Sequence, residues 1–275
     1  MKNKLNADSW QGKRVLITGA SSGIGASLAL EAAKLGAHLS LLARREDRLS
    51  DVKAQASRAG SRVVTFRGDI TKTLEVNAAV ENAVRELGGL DVVIANAGFG
   101  VAAPFEKLSN DDFRRQFDVN IFGVLRTIRA ALPELKKSKG TIAIIASVSS
   151  YVSAGSDSPY AMSKAAIRAL ADSLYLELKP EGVSVCLICP GFIDSEIRSV
   201  DNKGVFHAKA NDPIPKWIRM SADTAATQIL GGILAKKREL VITRHGKLLI
   251  WLRRFAPSLL IFLITKLGLL RREQV

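Results

Sequence analysis

Short runs of β-branched and other apolar residues alternate with longer amphipathic stretches along the first two thirds of the chain. The short runs have the length of strands, and the stretches between them have helical spacing. The predicted strands are Arg14 to Thr18, His38 to Ala43, Arg62 to Arg67, Leu90 to Ala95, Thr141 to Ser147 and Val183 to Cys189. The predicted helices are Ile24 to Leu35, Arg45 to Ala59, Thr73 to Leu87, Asn110 to Lys137 and Pro159 to Lys179. Because these strands are apolar on both faces, the alternation predicts a parallel sheet covered by helices on each side.

No linker or internal repeat interrupts this pattern. We therefore expect one doubly wound α/β domain over residues 1–245, in which a short strand near Glu239 to Thr243 completes a seven-stranded parallel sheet. An amphipathic basic segment, 246–275, is appended to the domain. The chain has 275 residues, of which 47% are hydrophobic, so it can bury a large core and is neither disordered nor fibrous.

Cysteine and histidine positions favour neither a redox pair nor a metal site. Cys186 and Cys189 lie in one predicted strand, where a spacing of three points their thiols to opposite faces, so we expect inert buried thiols. His38, His207 and His245 are far apart, and we expect no metal. The N-terminus is polar and lacks the apolar core of a secretory signal, so we expect a cytoplasmic protein.

A glycine-rich turn follows the first predicted strand and opens the first predicted helix. Its sequence is Thr18-Gly19-Ala20-Ser21-Ser22-Gly23-Ile24-Gly25. Glycines allow the backbone to approach a pyrophosphate, and a helix N-terminus offers N–H donors and a partial positive charge. Such turns also serve plain strand-to-helix packing, but the strand before and the helix after this turn favour a dinucleotide site in a Rossmann-type fold.

The end of the second predicted strand indicates which dinucleotide is used. A carboxylate at this place usually holds a ribose 2′-hydroxyl, whereas a 2′-phosphate requires cations. The sequence here is Leu42-Ala43-Arg44-Arg45, with no acid and with guanidinium groups that can form bidentate bonds to phosphate. The alternative is that both arginines are a solvated helix start. We expect NADP(H), with Arg44 at the 2′-phosphate.

A tyrosine and a lysine four residues apart open the last long predicted helix. The spacing puts Tyr160 and Lys164 on one helix face. A phenol with a pKa of about 10 is a poor base at neutral pH, but an adjacent ammonium favours the phenolate and makes general acid/base catalysis feasible. In isolation the pair is also compatible with an ordinary helix that carries an aromatic residue and a solvated lysine.

Taken together, these motifs resemble the short-chain dehydrogenase/reductase superfamily in its single-domain form, from about Lys13 to Leu240. The motifs occur in the family's order. They are the glycine turn, Asn96-Ala97-Gly98 after the fourth strand, Asn120 in the next helix, Ser147, the Tyr160/Lys164 pair and Pro190-Gly191 after the sixth strand.

The resemblance implies a role for each of four catalytic residues. Tyr160 would be the general acid/base, and Lys164 would hold the nicotinamide ribose and favour the tyrosinate. Ser147, thirteen positions before the tyrosine, would hydrogen-bond the substrate oxygen. Asn120 would keep a water-based proton relay in place.

The resemblance also implies the cofactor contacts. Asp69 would contact the adenine, the segment 96–98 would line the adenosine ribose, and Ile193 would offer its backbone to the carboxamide. The sequence departs from the family at Ser195, where threonine is frequent, and at Ala95, where asparagine is usual. The expected cofactor-binding residues are Gly19, Ser21, Ser22, Gly23, Ile24, Gly25, Arg44, Asp69, Ile70, Asn96, Ala97, Gly98, Tyr160, Lys164, Pro190, Gly191, Ile193 and Ser195.

The segment after the sixth strand is expected to select the substrate. This substrate loop, residues 195–220, contains Val205-Phe206-His207 and Ile214-Pro215-Lys216-Trp217-Ile218. Its mixed apolar and basic character favours a lipophilic substrate, although a lid that only packs on the domain would have the same composition.

The net charge of +14 is concentrated at the C-terminus. From Gly231 to Val275 there are ten basic and two acidic residues, which is +8 of that total. The longest charge-free stretch there, Phe255 to Thr265, is shorter than the ~20 residues that span a bilayer. Apolar residues mixed with lysine and arginine favour peripheral attachment to an anionic membrane surface. A helix buried in a dimer interface is the alternative.

The leading hypothesis is an NADP(H)-dependent enzyme that interconverts a carbonyl and a secondary alcohol on a steroid-like, retinoid-like or long-chain lipid substrate. The loop, short strand and apolar-basic tail resemble the layout of the membrane-associated 11β-hydroxysteroid dehydrogenases. A 3-oxoacyl carrier-protein reductase and a non-catalytic dinucleotide-sensing module are the alternatives. We expect a homo-oligomer, a dimer or tetramer, and no nucleic-acid partner, because no base-stacking or groove-reading motif is present.

Overall fold

A computed structural model describes residues 10–207, 212 and 214–266, and in it seven parallel strands form one sheet. The strand order is β3-β2-β1-β4-β5-β6-β7. The strands are β1 Arg14–Thr18, β2 His38–Ala43, β3 Val63–Arg67, β4 Val92–Ala95, β5 Thr141–Ile145, β6 Ser184–Cys189 and β7 Glu239–Val241. The predicted fold class and all seven predicted strands are confirmed, with ends that shift by no more than two residues.

Helices cover both faces of the sheet. They are α1 Gly23–Lys34, α2 Glu46–Ser57, α3 Thr73–Leu87, α4 Asn110–Phe117, α5 Gly123–Ser138, α6 Ser158–Leu178, α7 Ala222–Leu234, α8 Arg244–Phe255 and α9 Pro257–Lys266. Two buried clusters result, one with apolar residues of α1, α2 and α7 and one with those of α3, α5 and α6. Cys186 belongs to the first and Cys189 to the second, so the thiols do face opposite sides, and burial raises both pKa values to about 12.

The order of the strands reverses between β1 and β4. The chain runs outward from β1 through β2 to β3 and then crosses back, so that β4 pairs with the other edge of β1. In open parallel sheets a crevice forms beyond the carboxyl ends of the strands at such a reversal, and ligands bind there. The glycine turn after β1 and the Asn96-Ala97-Gly98 segment after β4 both lie at this place.

One predicted helix is wrong. The single helix expected over Asn110 to Lys137 is divided by a π-helical turn, Asp118–Phe122. In such a turn each backbone hydrogen bond spans five residues instead of four. Helix α8 begins at Arg244, two residues before the predicted segment 246–275, because the Thr243 hydroxyl caps the helix by accepting a bond from the Gly246 N–H. Residues 1–9, 208–211, 213 and 267–275 of the predicted domain, loop and tail lie outside the described residues.

Candidate active site

The glycine turn is held against the end of β4 by Asn96. Its side-chain amide donates to the carbonyl oxygens of Thr18 and Gly19 at 3.0 and 3.3 Å. The Thr18 hydroxyl accepts from the backbone N–H groups of Asn96 and Ala97, each at 3.1 Å. A Cβ atom at Gly25 would collide with the Gly19 carbonyl oxygen. The residues after β1 and β4 are thus fixed as one unit, and the predicted neighbours Gly19, Gly25, Asn96 and Ala97 are brought together.

Helix α1 presents its N-terminus to this crevice. Gly23, its first residue, has a φ of 53°, which side-chain-bearing residues rarely adopt. Ser22 is the N-cap but makes no side-chain capping bond, and the first turn contains no acidic residue. The partial positive charge of the helix terminus is therefore not offset from within the helix and can receive an anion.

Two successive arginines at the end of β2 have different surroundings. Arg44 is exposed to solvent. Arg45 faces the glycine turn, where its Nη2 donates to Ser22 Oγ at 2.6 Å and to Ser21 Oγ at 3.3 Å. Sequence reasoning selected Arg44 alone for the site, because adjacency in the chain does not show which guanidinium turns inward.

Tyr160 and Lys164, the predicted acid/base pair, are both buried on α6. Lys164 Nζ donates to the Ile145 carbonyl oxygen at the end of β5 at 2.9 Å, and it lies 5.6 Å from the centre of the Tyr160 ring. Burial lowers the pKa of Lys164 to about 8. Tyr160 is itself 7% exposed. The predicted pair is therefore adjacent and largely removed from water, which strengthens charge interactions between its members.

Asn120 lies in the π-helical turn and joins three parts of the chain. Its amide donates to the Phe99 carbonyl oxygen at 3.0 Å and to the Ser163 hydroxyl at 3.1 Å, and its Oδ1 accepts from the Phe99 N–H at 3.2 Å. A Cβ atom on Gly98 would lie 3.1 Å from Asn120 Oδ1 and 3.7 Å from Lys164 Nζ. Gly98 thus leaves the approach to both polar groups open.

Ser147 follows β5 and begins a short helical turn, Val148–Ser150, which packs against α6. Its hydroxyl oxygen accepts a hydrogen bond from the Ser149 N–H at 3.1 Å, so the O–H retains a proton that it can donate elsewhere. The turn is tied to the strand-six loop, since the Val148 N–H donates to the Pro190 carbonyl oxygen at 2.8 Å.

The Pro190-Gly191 turn after β6 packs against the start of α8. His245 Nε2 accepts from the Phe192 N–H at 3.0 Å, and the two rings stack with centroids 5.1 Å apart. Burial lowers the pKa of His245, which favours the neutral ring that this bond requires. Sequence reasoning missed His245 as a supporting residue, because it treated the C-terminal segment as appended to the domain.

The remaining predicted residues lie around the same crevice or at its edge. Asp69 follows β3, and its carboxylate accepts from the Thr71 N–H at 2.9 Å, while Ile70 is buried. Ile193 is buried, and the adjacent Asp194 N–H donates to the Met220 carbonyl oxygen at 2.9 Å, which closes the base of the substrate loop. Ser195 contacts Gly23, since a Cβ atom there would lie 3.2 Å from Ser195 Cβ.

Comparison with known proteins identifies the class. Residues 13–205 match the family described as short chain dehydrogenase. The chain is 36% identical over 252 residues to a protein of Arabidopsis thaliana named 11-beta-hydroxysteroid dehydrogenase-like 4A, a match that covers 91% of this chain and 83% of the relative. The chain therefore belongs to the short-chain dehydrogenase/reductase family of oxidoreductases, and the predicted resemblance is confirmed.

Two solved structures share the fold. An alcohol dehydrogenase from the archaeon Thermococcus sibiricus, complexed with 5-hydroxy-NADP, has a TM-score of 0.73 at 29% identity and covers 83% of this chain and 95% of its own. A short chain dehydrogenase/reductase from Burkholderia phymatum, in complex with NAD, has a TM-score of 0.81 at 25% identity and covers 91% and 96%. The two structural relatives thus hold different nicotinamide dinucleotides.

Proposed function

We propose that this protein is an NADP(H)-dependent oxidoreductase that interconverts a carbonyl and a secondary alcohol on a lipophilic substrate. The observation that carries the proposal is the buried group of Tyr160, Lys164 and Asn120 at the carboxyl edge of the sheet, next to the glycine turn. A structural role alone does not require a lysine with a lowered pKa in contact with a tyrosine ring.

The residues at the crevice have the chemistry to hold a nicotinamide dinucleotide. The N-terminus of α1 suits a pyrophosphate, and the glycines of the turn leave room for it. Lys164 suits a ribose hydroxyl, and the backbone of Ile193 suits a carboxamide. The remaining contacts of the proposed site come from Gly19, Ser21, Ser22, Gly23, Ile24, Gly25, Arg44, Asp69, Ile70, Asn96, Ala97, Gly98, Tyr160, Pro190, Gly191 and Ser195.

A nicotinamide held by these residues would supply the hydride for reduction of the carbonyl carbon, or would accept it from the carbinol carbon in oxidation. In reduction Tyr160 donates its phenolic proton to the substrate oxygen, while Ser147 hydrogen-bonds the same oxygen and orients it. Lys164 keeps its positive charge beside the resulting phenolate, and Asn120 holds the water through which the phenol regains a proton. Oxidation reverses each of these transfers.

The preference for NADP(H) rests on charge at the end of β2. Arg44 and Arg45 follow the strand, and a phosphate dianion can accept several bonds from guanidinium and serine hydroxyl groups. The serines Ser21 and Ser22 already accept bonds from Arg45. One structural relative is complexed with 5-hydroxy-NADP, which agrees with this preference. Because the other is complexed with NAD, the affinities of this protein for NADPH and NADH have to be measured.

A lipophilic substrate is favoured by the substrate loop and by the named relatives. Trp217 is 85% exposed and Val205 52% exposed on this loop, so the loop presents large apolar side chains to solvent. Curated relatives carry the name 11-beta-hydroxysteroid dehydrogenase, which makes a steroid-like molecule the first class to examine.

We also propose that the C-terminal helices attach the enzyme to an anionic membrane surface. On α8 and α9 six large apolar side chains are each at least 49% exposed, namely Leu248, Trp251, Phe255, Leu259, Ile261 and Phe262. Arg253 and Arg254 are exposed on the same two-helix unit. Within residues 10–207, 212 and 214–266, no helix is long and apolar enough to cross a membrane.

An assembly of two or four copies is the expected state of the enzyme.

Oxidation of NADPH in the presence of candidate carbonyl compounds tests the proposed activity. The panel contains ketosteroids, retinaldehyde, 3-ketosphinganine and 3-oxoacyl carrier substrates. We expect turnover with at least one lipophilic ketone or aldehyde. Turnover of the carrier-linked substrate alone would favour the carrier-protein reductase instead, and binding of dinucleotide without turnover of any substrate would favour a sensing module.

A further inference from the structure

An ion pair between Arg45 and Glu196 lies beside the glycine turn of the proposed dinucleotide site. Arg45 Nη1 lies 3.0 Å from Glu196 Oε2, and Nη2 of the same guanidinium lies 3.1 Å from that oxygen. Arg45 precedes α2, whereas Glu196 begins the short helical turn Glu196–Ser199 of the substrate loop. The two residues are 151 positions apart, so the pair joins the cofactor half of the domain to the substrate loop.

The Glu196 carboxylate occupies surroundings that suit an anion. The hydroxyls of Ser21 and Ser22 are bonded to the same Arg45 Nη2, and Gly23 at the N-terminus of α1 contacts the neighbouring Ser195. Because α1 has no acidic residue in its first turn, Glu196 supplies the negative charge near this terminus. Of these groups, Arg45 and the two serines are proposed above for the 2′-phosphate of NADP(H), and the α1 N-terminus is proposed for the pyrophosphate.

A second contact links the same guanidinium to the loop. Arg45 Cζ lies 5.7 Å from the centre of the Phe206 ring, which is a cation–π distance. Arg45 therefore contacts the loop both at its first turn and ten residues further on. If Arg45 turned toward another anion, the loop would lose both of these contacts at once.

We propose that Glu196 is an internal competitor for the 2′-phosphate: it holds Arg45 when the site is empty, and a 2′-phosphate that takes Arg45 releases the start of the substrate loop. This inference rests on the proposed NADP(H) function. The exchange is feasible because the side chains of Arg45 and Glu196 are 35% and 30% exposed, and partly solvated ion pairs are weak. A phosphate carries more charge and more acceptor oxygens than one carboxylate. A dinucleotide without the 2′-phosphate leaves the pair intact.

Calorimetric titration with 2′,5′-ADP (adenosine 2′,5′-bisphosphate) and with 5′-AMP, which lacks only the 2′-phosphate, tests the competition without requiring turnover. Glu196→Gln keeps the shape of the side chain but removes its charge. We expect this variant to bind 2′,5′-ADP roughly twofold to fivefold more tightly than the wild type, with a smaller change for 5′-AMP. Asp194→Asn is the matched control. Asp194 lies two residues before Glu196 and carries the same charge, but its carboxylate pairs with Arg219 and not with Arg45.

Limited trypsin digestion reports on the loop, which contains Arg198, Lys203 and Lys216. In the wild type 2′,5′-ADP should accelerate cleavage in the loop, and 5′-AMP should not. In Glu196→Gln the loop should be cleaved at the faster rate without any ligand. Asp194→Asn should resemble the wild type in its response to both nucleotides.

The outcomes separate this inference from the function on which it rests. Unchanged or weaker binding of 2′,5′-ADP to Glu196→Gln would overturn the competition while leaving the dinucleotide site in place. The same holds if both nucleotides affect loop cleavage equally. Failure of the wild type to bind either nucleotide would overturn the proposed dinucleotide function and the competition together.

Discussion

The Ile145 carbonyl oxygen accepts a 2.9 Å hydrogen bond from Lys164 Nζ, and this bond fixes the ammonium at the end of the central strand β5. The same strand leads, two residues later, into Ser147. The end of this one strand thus determines the position of the Lys164 ammonium beside Tyr160 and the position of Ser147. The relative position of the three groups is therefore set by the sheet rather than by a loop.

Tyr160→Phe should abolish most turnover while leaving NADPH binding intact. The ring and its packing persist, but the proton that Tyr160 gives to the substrate oxygen is lost, and general acid/base groups contribute about 10² to 10⁴-fold in rate. Steady-state kinetics and a fluorescence titration with NADPH measure the two effects. Tyr175→Phe, on the same helix, is the control and should retain the wild-type rate. Turnover of Tyr160→Phe within about tenfold of the wild type, a barrier change of ~1.4 kcal/mol, would remove Tyr160 from the mechanism.

Lys164 should make the stability of the fold depend on alkaline pH. Burial lowers its pKa from 10.5 to about 8. Between these values the unfolded chain binds more protons than the folded one, so the free energy of unfolding should rise with pH across this window. One proton gives a slope of at most about 1.4 kcal/mol per pH unit.

Denaturant unfolding of the wild type and of Lys164→Met over the same pH window measures this contribution. The buried thiols of Cys186 and Cys189, whose pKa values are raised to about 12, act in the opposite direction. The Cys186 contribution cancels in the difference, whereas the charge of Lys164 lowers the pKa of Cys189, so the difference includes this interaction. The wild type should gain stability relative to Lys164→Met as pH rises from about 8. Parallel profiles of the two proteins would show that Lys164 titrates alike in the folded and unfolded states.

The elements that were predictable from the sequence are those fixed by nearby residues. The apolar runs define the seven strands, and the glycine turn lies where a strand passes directly into a helix, so each signal is local. The Tyr160/Lys164 pair is likewise one helical turn apart. These patterns, combined with the family resemblance, were sufficient to place the candidate site at the carboxyl edge of the sheet.

The features that were missed depend on contacts between distant segments. The bond of Phe192 to His245 joins positions 53 residues apart, and the Arg45–Glu196 pair joins positions 151 apart, so no local pattern contains either one. The π-helical turn around Asn120 adds no break in composition, since glycine and proline are absent from Asp118–Phe122. The π-helical turn differs from an α-helix in which backbone groups are hydrogen-bonded, and the spacing of apolar residues does not indicate that difference.

NADPH should bind much more tightly than NADH, and Arg44→Ala should narrow the difference. A charge-assisted bond between a guanidinium and a phosphate is worth roughly 1.5 to 3 kcal/mol. Dissociation constants of both cofactors for the wild type and the variant measure the effect. Arg48→Ala removes an equal charge from the first turn of α2 and should change the ratio little. Equal affinity of the wild type for the two cofactors would refute the NADP(H) assignment.

His245→Phe should destabilise the fold although the aromatic stack on Phe192 can be retained. The substitution leaves the partly buried Phe192 N–H without its acceptor. Loss of the partner of a fully buried donor costs about 1 to 3 kcal/mol, so we expect a loss at the lower end of this range. Denaturant unfolding measures the loss. His38→Phe is the control, because His38 accepts its backbone bond at an exposed site and should cost less. Equal losses for the two variants would show that the bond to Phe192 has no special weight.

Acid should weaken the same contact. Burial lowers the pKa of His245 below its ordinary value of 6.5, so the folded state favours the neutral ring. The stability that this provides is present above pH 6.5 and is lost as the pH falls from there toward the folded pKa. His245→Phe should therefore show a smaller loss of stability than the wild type over this acidic range.

Trp251 and Phe255 should be needed for attachment to anionic liposomes. The two rings lie tilted against each other on α8 with centroids 5.6 Å apart and are 54% and 63% exposed, so they form one apolar surface that can enter the acyl boundary. Flotation with anionic liposomes should recover the wild type and should fail for the double variant Trp251→Ser/Phe255→Ser. Deleting residues 246–270 should also abolish flotation, but Gly246 contacts Val148 beside the site, so the double variant disturbs the enzyme less.

The two attractions at this surface should be separable by salt. Arg253 and Arg254 attract anionic headgroups over about a Debye length, ~8 Å at physiological ionic strength, whereas the apolar contribution is not screened. High salt should therefore weaken flotation of the wild type without abolishing it, and it should have a smaller effect on Arg253→Gln/Arg254→Gln, which retains Arg244, Lys247 and Lys266. A size measurement and an NADPH titration on each variant show whether assembly and cofactor binding persist. If the wild type never floats, or the aromatic double variant floats as the wild type does and instead loses its assembly, α8 and α9 form a subunit interface rather than a membrane surface.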